Sequence, residues 1–148
     1  MSRIAIIYWT GTGNTLEMAK AIEKGAKGAG ADVEVFEVES FGGVAKLKDY
    51  DGLMFGCPAM GDEVLEEGAF EPFFAEAEGQ LADKPVALFG SYGWGGGAWM
   101  ESWAERTRGD GAKLFGDGLA VENAPDDEAL AACEKLGADF AASLGEFR

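Results

Sequence analysis

The chain has 148 residues, 47% of them hydrophobic, which suits one folded domain in the roughly 100–200-residue range and excludes a disordered chain. Twelve Lys and Arg stand against 27 Asp and Glu, a formal charge of −15, so a nucleic-acid partner is excluded and the surface either suits proteins with basic patches or serves solubility alone. There is no histidine, which removes histidine triads, histidine proton shuttles and histidine zinc sites.

Strand-like and helix-like patterns then alternate along the chain. Arg3–Trp9 is a β-branched and aromatic run, the pattern of a strand buried on both faces. It is too short for a signal-peptide core, and no stretch reaches the ~18 apolar residues of a membrane span, so a soluble, cytoplasmic protein is expected. From Asn14 to about Ala29, Leu16, Ala19, Ile22 and Ala26 make one helical stripe. Asp32–Val38 alternates with period two, as an outer strand does. Ser40–Leu47, with its Gly42-Gly43 pair, is atypical and puts a second helix in doubt. Leu53–Gly56 reads as a third strand, and Phe70, Phe73, Phe74 and Ala77 as an amphipathic helix. Pro85–Gly90 is the fourth strand and Ala98–Arg108 the next helix, with Trp99 and Trp103 at packing spacing. The fifth strand divides between Lys113–Phe115 and Leu119–Val121. A last helix runs from Asp126, a suitable N-cap, to Leu144, with Leu130, Cys133, Leu136, Phe140 and Leu144 on one side. Cys57 and Cys133 lack metal or redox spacing and read as free thiols in a reducing compartment.

Five strands alternating with helices predict an α/β doubly wound sheet, in which ligands bind beyond the carboxyl ends of the strands. The first such loop, Thr10-Gly11-Thr12-Gly13-Asn14-Thr15, opens a helix with two glycines, three hydroxyls and an amide. Its backbone N–H groups suit an anion, although a plain capped turn explains the same residues. It lacks the lysine of the nucleotide P-loop and the third glycine of the dinucleotide fingerprint, which favours a small monophosphate. Gly93–Ala98 also fits the loose dinucleotide pattern but follows the fourth strand, and is read as coincidence. A phospho-receiver of similar topology would need an aspartate after the third strand, where Gly56-Cys57 stands.

Three segments, Ile7–Thr15, Gly56–Glu63 and Leu88–Gly95, resemble the three FMN-binding loops of short-chain flavodoxins, most closely the anaerobic-bacterial type. The Val121–Asp126 turn and the final helix are also similar to that family. The resemblance implies a flavodoxin-like doubly wound five-stranded parallel sheet in the order 2-1-3-4-5, with residues 1–148 forming a single domain. It implies a low-potential one-electron carrier that is not an enzyme, using non-covalently bound FMN between semiquinone and hydroquinone to serve larger redox proteins. The partners would be reductases or oxidoreductases with basic docking patches, the protein itself a monomer without nucleic acid, membrane or metal. An FMN-dependent NAD(P)H:acceptor oxidoreductase of the same fold is the alternative.

By the same resemblance, Thr10, Gly11, Thr12, Gly13, Asn14 and Thr15 would bind the phosphate. Ala59, Met60, Gly61, Asp62 and Glu63 would border the ring, with Met60 on its inner face and Glu63 accepting from N3–H. The peptide between Gly61 and Asp62 would turn its carbonyl to the N5 proton, a turn that glycine makes cheap. Ser91, Tyr92, Gly93, Trp94 and Gly95 would supply backbone N–H groups to the pyrimidine edge, and Trp94 the outer stacking face. Asp62, Glu63, Glu66 and Glu67, with no Lys or Arg from Asp51 to Asp83, would disfavour a second negative charge on the ring. Cys57 and the Trp99/Trp103 pair are expected to be packing residues.

Overall fold

A computed structural model describes residues 2–60, 64–93 and 96–146. Its strands are β1 (Arg3–Tyr8), β2 (Asp32–Glu37), β3 (Gly52–Gly56), β4 (Pro85–Tyr92), β5 (Lys113–Leu114) and β6 (Leu119–Glu122). All pair in parallel in the order β2-β1-β3-β4-β5, with β6 also on β4. The helices are α1 (Asn14–Gly28), α2 (Phe70–Ala77), α3 (Ala98–Gly109) and α4 (Asp127–Glu146).

The divided fifth strand is real. Lys113 and Leu114 pair with Pro85 and Val86, whereas Leu119–Glu122 pair with Phe89–Tyr92. Between them the chain leaves the ladder through Gly116 and Gly118, both at positive φ. The Ser40–Leu47 segment forms no α-helix: 3-10 turns at Val38–Ser40 and Val44–Asp49 carry the chain from β2 to β3. Asp126 caps α4 as expected, its carboxylate accepting from the Ala129 N–H at 2.8 Å. On α4 the apolar stripe is deeply buried at Cys133, Phe140 and Leu144, while Leu130 is only half-buried.

Because strand side chains alternate, successive residues feed two different cores. Ile4, Ile6, Met54, Ala87 and Phe89 face α1 and α4, where they meet Met18, Ile22, Cys133 and Phe140. Ala5, Ile7, Leu53, Phe55 and Leu88 face α2 and α3, where they meet Phe70, Phe74, Trp99 and Trp103. Both faces of the sheet are therefore covered, which explains the unbroken apolar run of β1.

The two layers are closed differently. A Cβ on Gly25 would lie 1.9 Å from the Glu134 carbonyl oxygen, and one on Gly137 would lie 2.1 Å from that of Ile22, so α1 and α4 touch backbone to backbone. On the opposite face, Phe70 and Phe74 meet Trp103 edge-on at 5.6 and 5.7 Å. Arg106 of α3 lies over the Phe74 ring and bonds the carboxylates of Glu71 and Glu78 at 2.7 Å each. The acidic stretch from Asp51 to Asp83 thus receives its cation from a distant part of the chain.

Candidate functional site

The loops after β1, β3 and β4 converge at the carboxyl end of the sheet around a cleft of about 320 Å³. That is within the range of roughly 300–1,000 Å³ usual for small-ligand sites. Gly11, Thr12 and Asn14 line it from the first loop, Ala59 and Met60 from the second, Ser91, Tyr92 and Gly93 from the third. No charged side chain is among the described residues of its wall.

Gly13 sets the geometry of the first loop. It is the N-cap of α1 at φ 97°, a conformation only glycine adopts readily, and no side chain caps the helix. The donors of the first turn, where the positive end of the helix dipole lies, are left without a side-chain acceptor. Thr10 and Thr15 stand behind this surface. The Thr10 hydroxyl accepts from the Gly13 N–H at 3.0 Å and closes the turn. Thr15 is buried, with its hydroxyl 3.4 Å from that of Ser91, so it joins the first loop to the third.

The second loop leaves β3 tied to its neighbours. Cys57 N–H donates to the Phe89 carbonyl at 3.1 Å and Ala59 N–H to that of Ser91 at 2.9 Å, extending the β4 ladder beyond the strand. The Cys57 carbonyl accepts the Trp99 indole N–H at 3.2 Å, and Trp99 in turn packs against Tyr92 with ring centres 5.5 Å apart. Burial pushes the Cys57 thiol up to about 12, so it is inert packing. Met60 and Val64 then exchange two backbone hydrogen bonds at 2.8 and 3.0 Å in an antiparallel bridge. Both side chains are exposed at the rim.

Gly61, Asp62, Glu63, Trp94 and Gly95 lie outside the described residues. Three further residues complete the wall without having been singled out in the sequence: Trp9, Pro58 and Asn123. Trp9 extends β1 into the cleft, its ring about 3.1 Å from where a Cβ on Gly11 would stand. Asn123 follows β6 at φ 60°, and its N–H donates to the Tyr92 carbonyl at 2.7 Å. An asparagine just after a strand and before Ala-Pro was the available signal, since asparagine tolerates the left-handed region.

The described residues fit a phosphate-tailed, planar aromatic ligand. Uncapped amides and hydroxyls line the cleft together with the thioether of Met60 and the rings of Trp9 and Tyr92. Among the described residues there is no cluster suited to a metal, and no helix is long and apolar enough to cross a membrane.

The Flavodoxin family model matches residues 6–137. A flavodoxin from Clostridium beijerinckii is 47% identical over 136 residues, covering 92% of this chain and 97% of its own. One from Megasphaera elsdenii is 45% identical over 137 residues, 90% of this chain and 95% of its own. The solution structure of the two-electron reduced M. elsdenii protein matches with a TM-score of 0.85 over 94% of this chain and 98% of that one. Oxidised flavodoxin 1 from Bacillus cereus, at 30% identity, matches with a TM-score of 0.82 over 95% and 98%.

Proposed function

The chain belongs to the flavodoxin family, whose members bind FMN and carry electrons rather than act as enzymes, and from that premise we propose how its own residues divide the work. When bound, FMN supplies the redox chemistry, and the protein contributes position, hydrogen bonds and electrostatics.

The observation that carries the assignment is the start of α1, open toward the three-loop cleft behind Gly13. The amides of Gly11, Thr12, Asn14 and Thr15, with the Thr12 hydroxyl and the Asn14 side chain, would hold the phosphate, while the Gly13 amide is taken by Thr10. Thr10 and Thr15 act indirectly, by closing the turn and fastening it to Ser91. Met60, Trp9 and Tyr92 form the described apolar walls, and Trp94 adds the outer stacking face. Ser91, Gly93 and Gly95 would offer backbone donors to the polar edge of the ring, and Glu63 would accept a hydrogen bond from its N3–H. Gly61 would let the peptide before Asp62 offer its carbonyl toward N5 of the flavin. Ala59 keeps the chain leaving β3 against β4.

Residues 1–148 work as one domain and one monomer, in the cytoplasm. The partners are redox proteins whose basic patches meet the acidic rim around the exposed Met60 and Val64. The charge of −15 supports that choice, because it raises encounter rates with basic surfaces.

Titrating the apoprotein with FMN, riboflavin and FAD tests the phosphate assignment. FMN should bind in a 1:1 ratio, with riboflavin weaker by roughly 100-fold, the loss of one well-held charged group. FAD should also bind poorly, because its phosphate is internal. Equal affinity for FMN and riboflavin would overturn the assignment.

A further inference from the structure

The two tryptophans of α3 stand one turn apart and fare differently. The Trp99 indole N–H donates to the Cys57 carbonyl at 3.2 Å. Trp103 is 2% exposed, yet its Nε1 has no hydrogen-bond partner among the described residues. The rings packed edge-on against it, Phe70 and Phe74, carry no oxygen to accept. Leaving a buried N–H unpaired is costly, and buried donors are nearly always satisfied, so the acceptor has to come from outside the chain.

Both indoles line a pocket of about 140 Å³ among α2, α3 and the chain returning from the cleft. Val64 and Leu65 give it apolar wall and Ser102 a hydroxyl. Arg106 and Glu71 add a guanidinium and a carboxylate bound to each other at 2.7 Å, so the described wall carries no net charge. The pocket adjoins the cleft: Val64 is 41% exposed at the rim, and Trp99 packs on Tyr92. Its volume is several times the ~30 Å³ share of one water, room enough for the head of a side chain.

Three chemistries can be weighed against this wall. A carboxylate would satisfy Trp103 but bring negative charge beside Glu71, on a chain of net charge −15. An ammonium or guanidinium group would face Arg106 and leave the Trp103 N–H without an acceptor. A carboxamide has both halves. Its oxygen accepts from Trp103 and Ser102, and its NH₂ donates to Glu71, whose oxygens keep lone pairs beyond those given to Arg106. We propose that this pocket is the socket for a Gln or Asn side chain of the redox partner that docks at the rim. The proposal rests on the reading of the rim around Met60 and Val64 as the docking face. It adds a neutral, directional contact to the basic patches that the acidic surface attracts.

Each of the four tryptophans gives one indole N–H resonance in the isotope-labelled, FMN-loaded protein, and the resonance lost in Trp103→Phe is the one to follow. Titration with propionamide should move it saturably. Half-saturation should come at least about fivefold below that with propionate or propylammonium, the worth of one hydrogen bond. Ser102→Leu, at an exposed position, puts an isobutyl group into the pocket and should abolish the shift while FMN affinity stays unchanged. Three results would overturn the socket: propionate binding as well as propionamide, a shift that survives Ser102→Leu, or no shift at all, which leaves the pocket to water. The peptides Lys-Lys-Gln-Lys-Lys and Lys-Lys-Leu-Lys-Lys carry the test to the partner. Both should perturb the amide resonances of Met60 and Val64 in a salt-dependent way, and only the glutamine peptide should move the Trp103 indole. If neither peptide perturbs Met60 and Val64, the docking rim fails. If both do and the Trp103 indole stays still, the socket alone fails.

Discussion

α1 and α2 both follow loops of the cleft, and they begin in opposite ways. α1 starts at Gly13 with its first amides lacking any side-chain acceptor, whereas the amides at the start of α2 converge on the Glu66 carboxylate. Their flanks differ too. α1 is pressed onto α4 backbone to backbone at Gly25 and Gly137, with only an exposed Lys24–Glu134 pair at 2.9 Å beside the contact, while α2 is strapped to α3 by the half-buried Arg106. A helix start that a protein uses for its own stability is filled by its own carboxylate. One left open, on a helix anchored elsewhere along its length, is available to an outside anion.

The sharpest way to break this contrast is to give α1 a carboxylate of its own. Gly13→Asp should lower FMN affinity by at least about 100-fold, worth roughly 2.7 kcal/mol, through repulsion of the phosphate and strain at positive φ. Gly13→Ala carries the strain alone, about 1–2 kcal/mol, and should fall between parent and Asp. Fluorescence titration of the apoproteins reads the order, and riboflavin binding should respond much less to the added charge.

The flank of α1 comes next. Gly137→Ala forces a methyl group against the Ile22 carbonyl, and overpacking of this kind should destabilise the fold by about 2 kcal/mol despite the better helix propensity of alanine. Gly25→Ala should behave alike against Glu134. Because both sit in one interface, the double variant should cost less than the sum, since separating the helices relieves both clashes together. Urea unfolding of the three variants measures this.

On α2 the strap is smaller in effect. Arg106→Met keeps much of the packing on Phe74 but leaves Glu71 and Glu78 without their common partner. With all three side chains partly exposed, the loss should be about 1–2 kcal/mol. FMN affinity should barely change, because these residues lie outside the cleft.

The smallest effect is one of pH. Burial, then the hydrogen bond and negative charge of Glu78, push Asp110 up to about 6, against the pull of Arg106. A carboxyl raised in the folded state contributes stability that is present below its unfolded value near 4 and is lost as pH rises through about 6. Asp110→Asn should therefore match the parent in thermal stability near pH 4 and exceed it near pH 8. Equal curves at both ends would exclude the interaction.

Much of this architecture was legible in the chain because it depends on local pattern. The apolar run of Arg3–Trp9 announced a strand covered on both faces, and the spacing of Phe70, Phe74 and Ala77 matched α2. The two pieces Lys113–Phe115 and Leu119–Val121 already implied a broken fifth strand, and the helical run expected from Asn14 matched the start of α1. Periodicity and turn chemistry act over a few residues, so they survive in one dimension.

What only the folded chain decided were the meetings between distant residues. Thr10 and Thr15 belong to one loop rich in glycine and threonine, yet one closes its turn and the other reaches Ser91, 76 residues away. Glu66 and Glu67 are neighbours of equal charge, yet only the Glu66 carboxylate turns onto the three amides that open α2. Trp9 and Asn123 enter the cleft from the ends of two strands separated by β3 and β4 in the sheet. Composition determines which chemistry a chain has available. Which group meets which donor depends on register and on the direction of each turn, and those are settled only when the two layers close on the sheet.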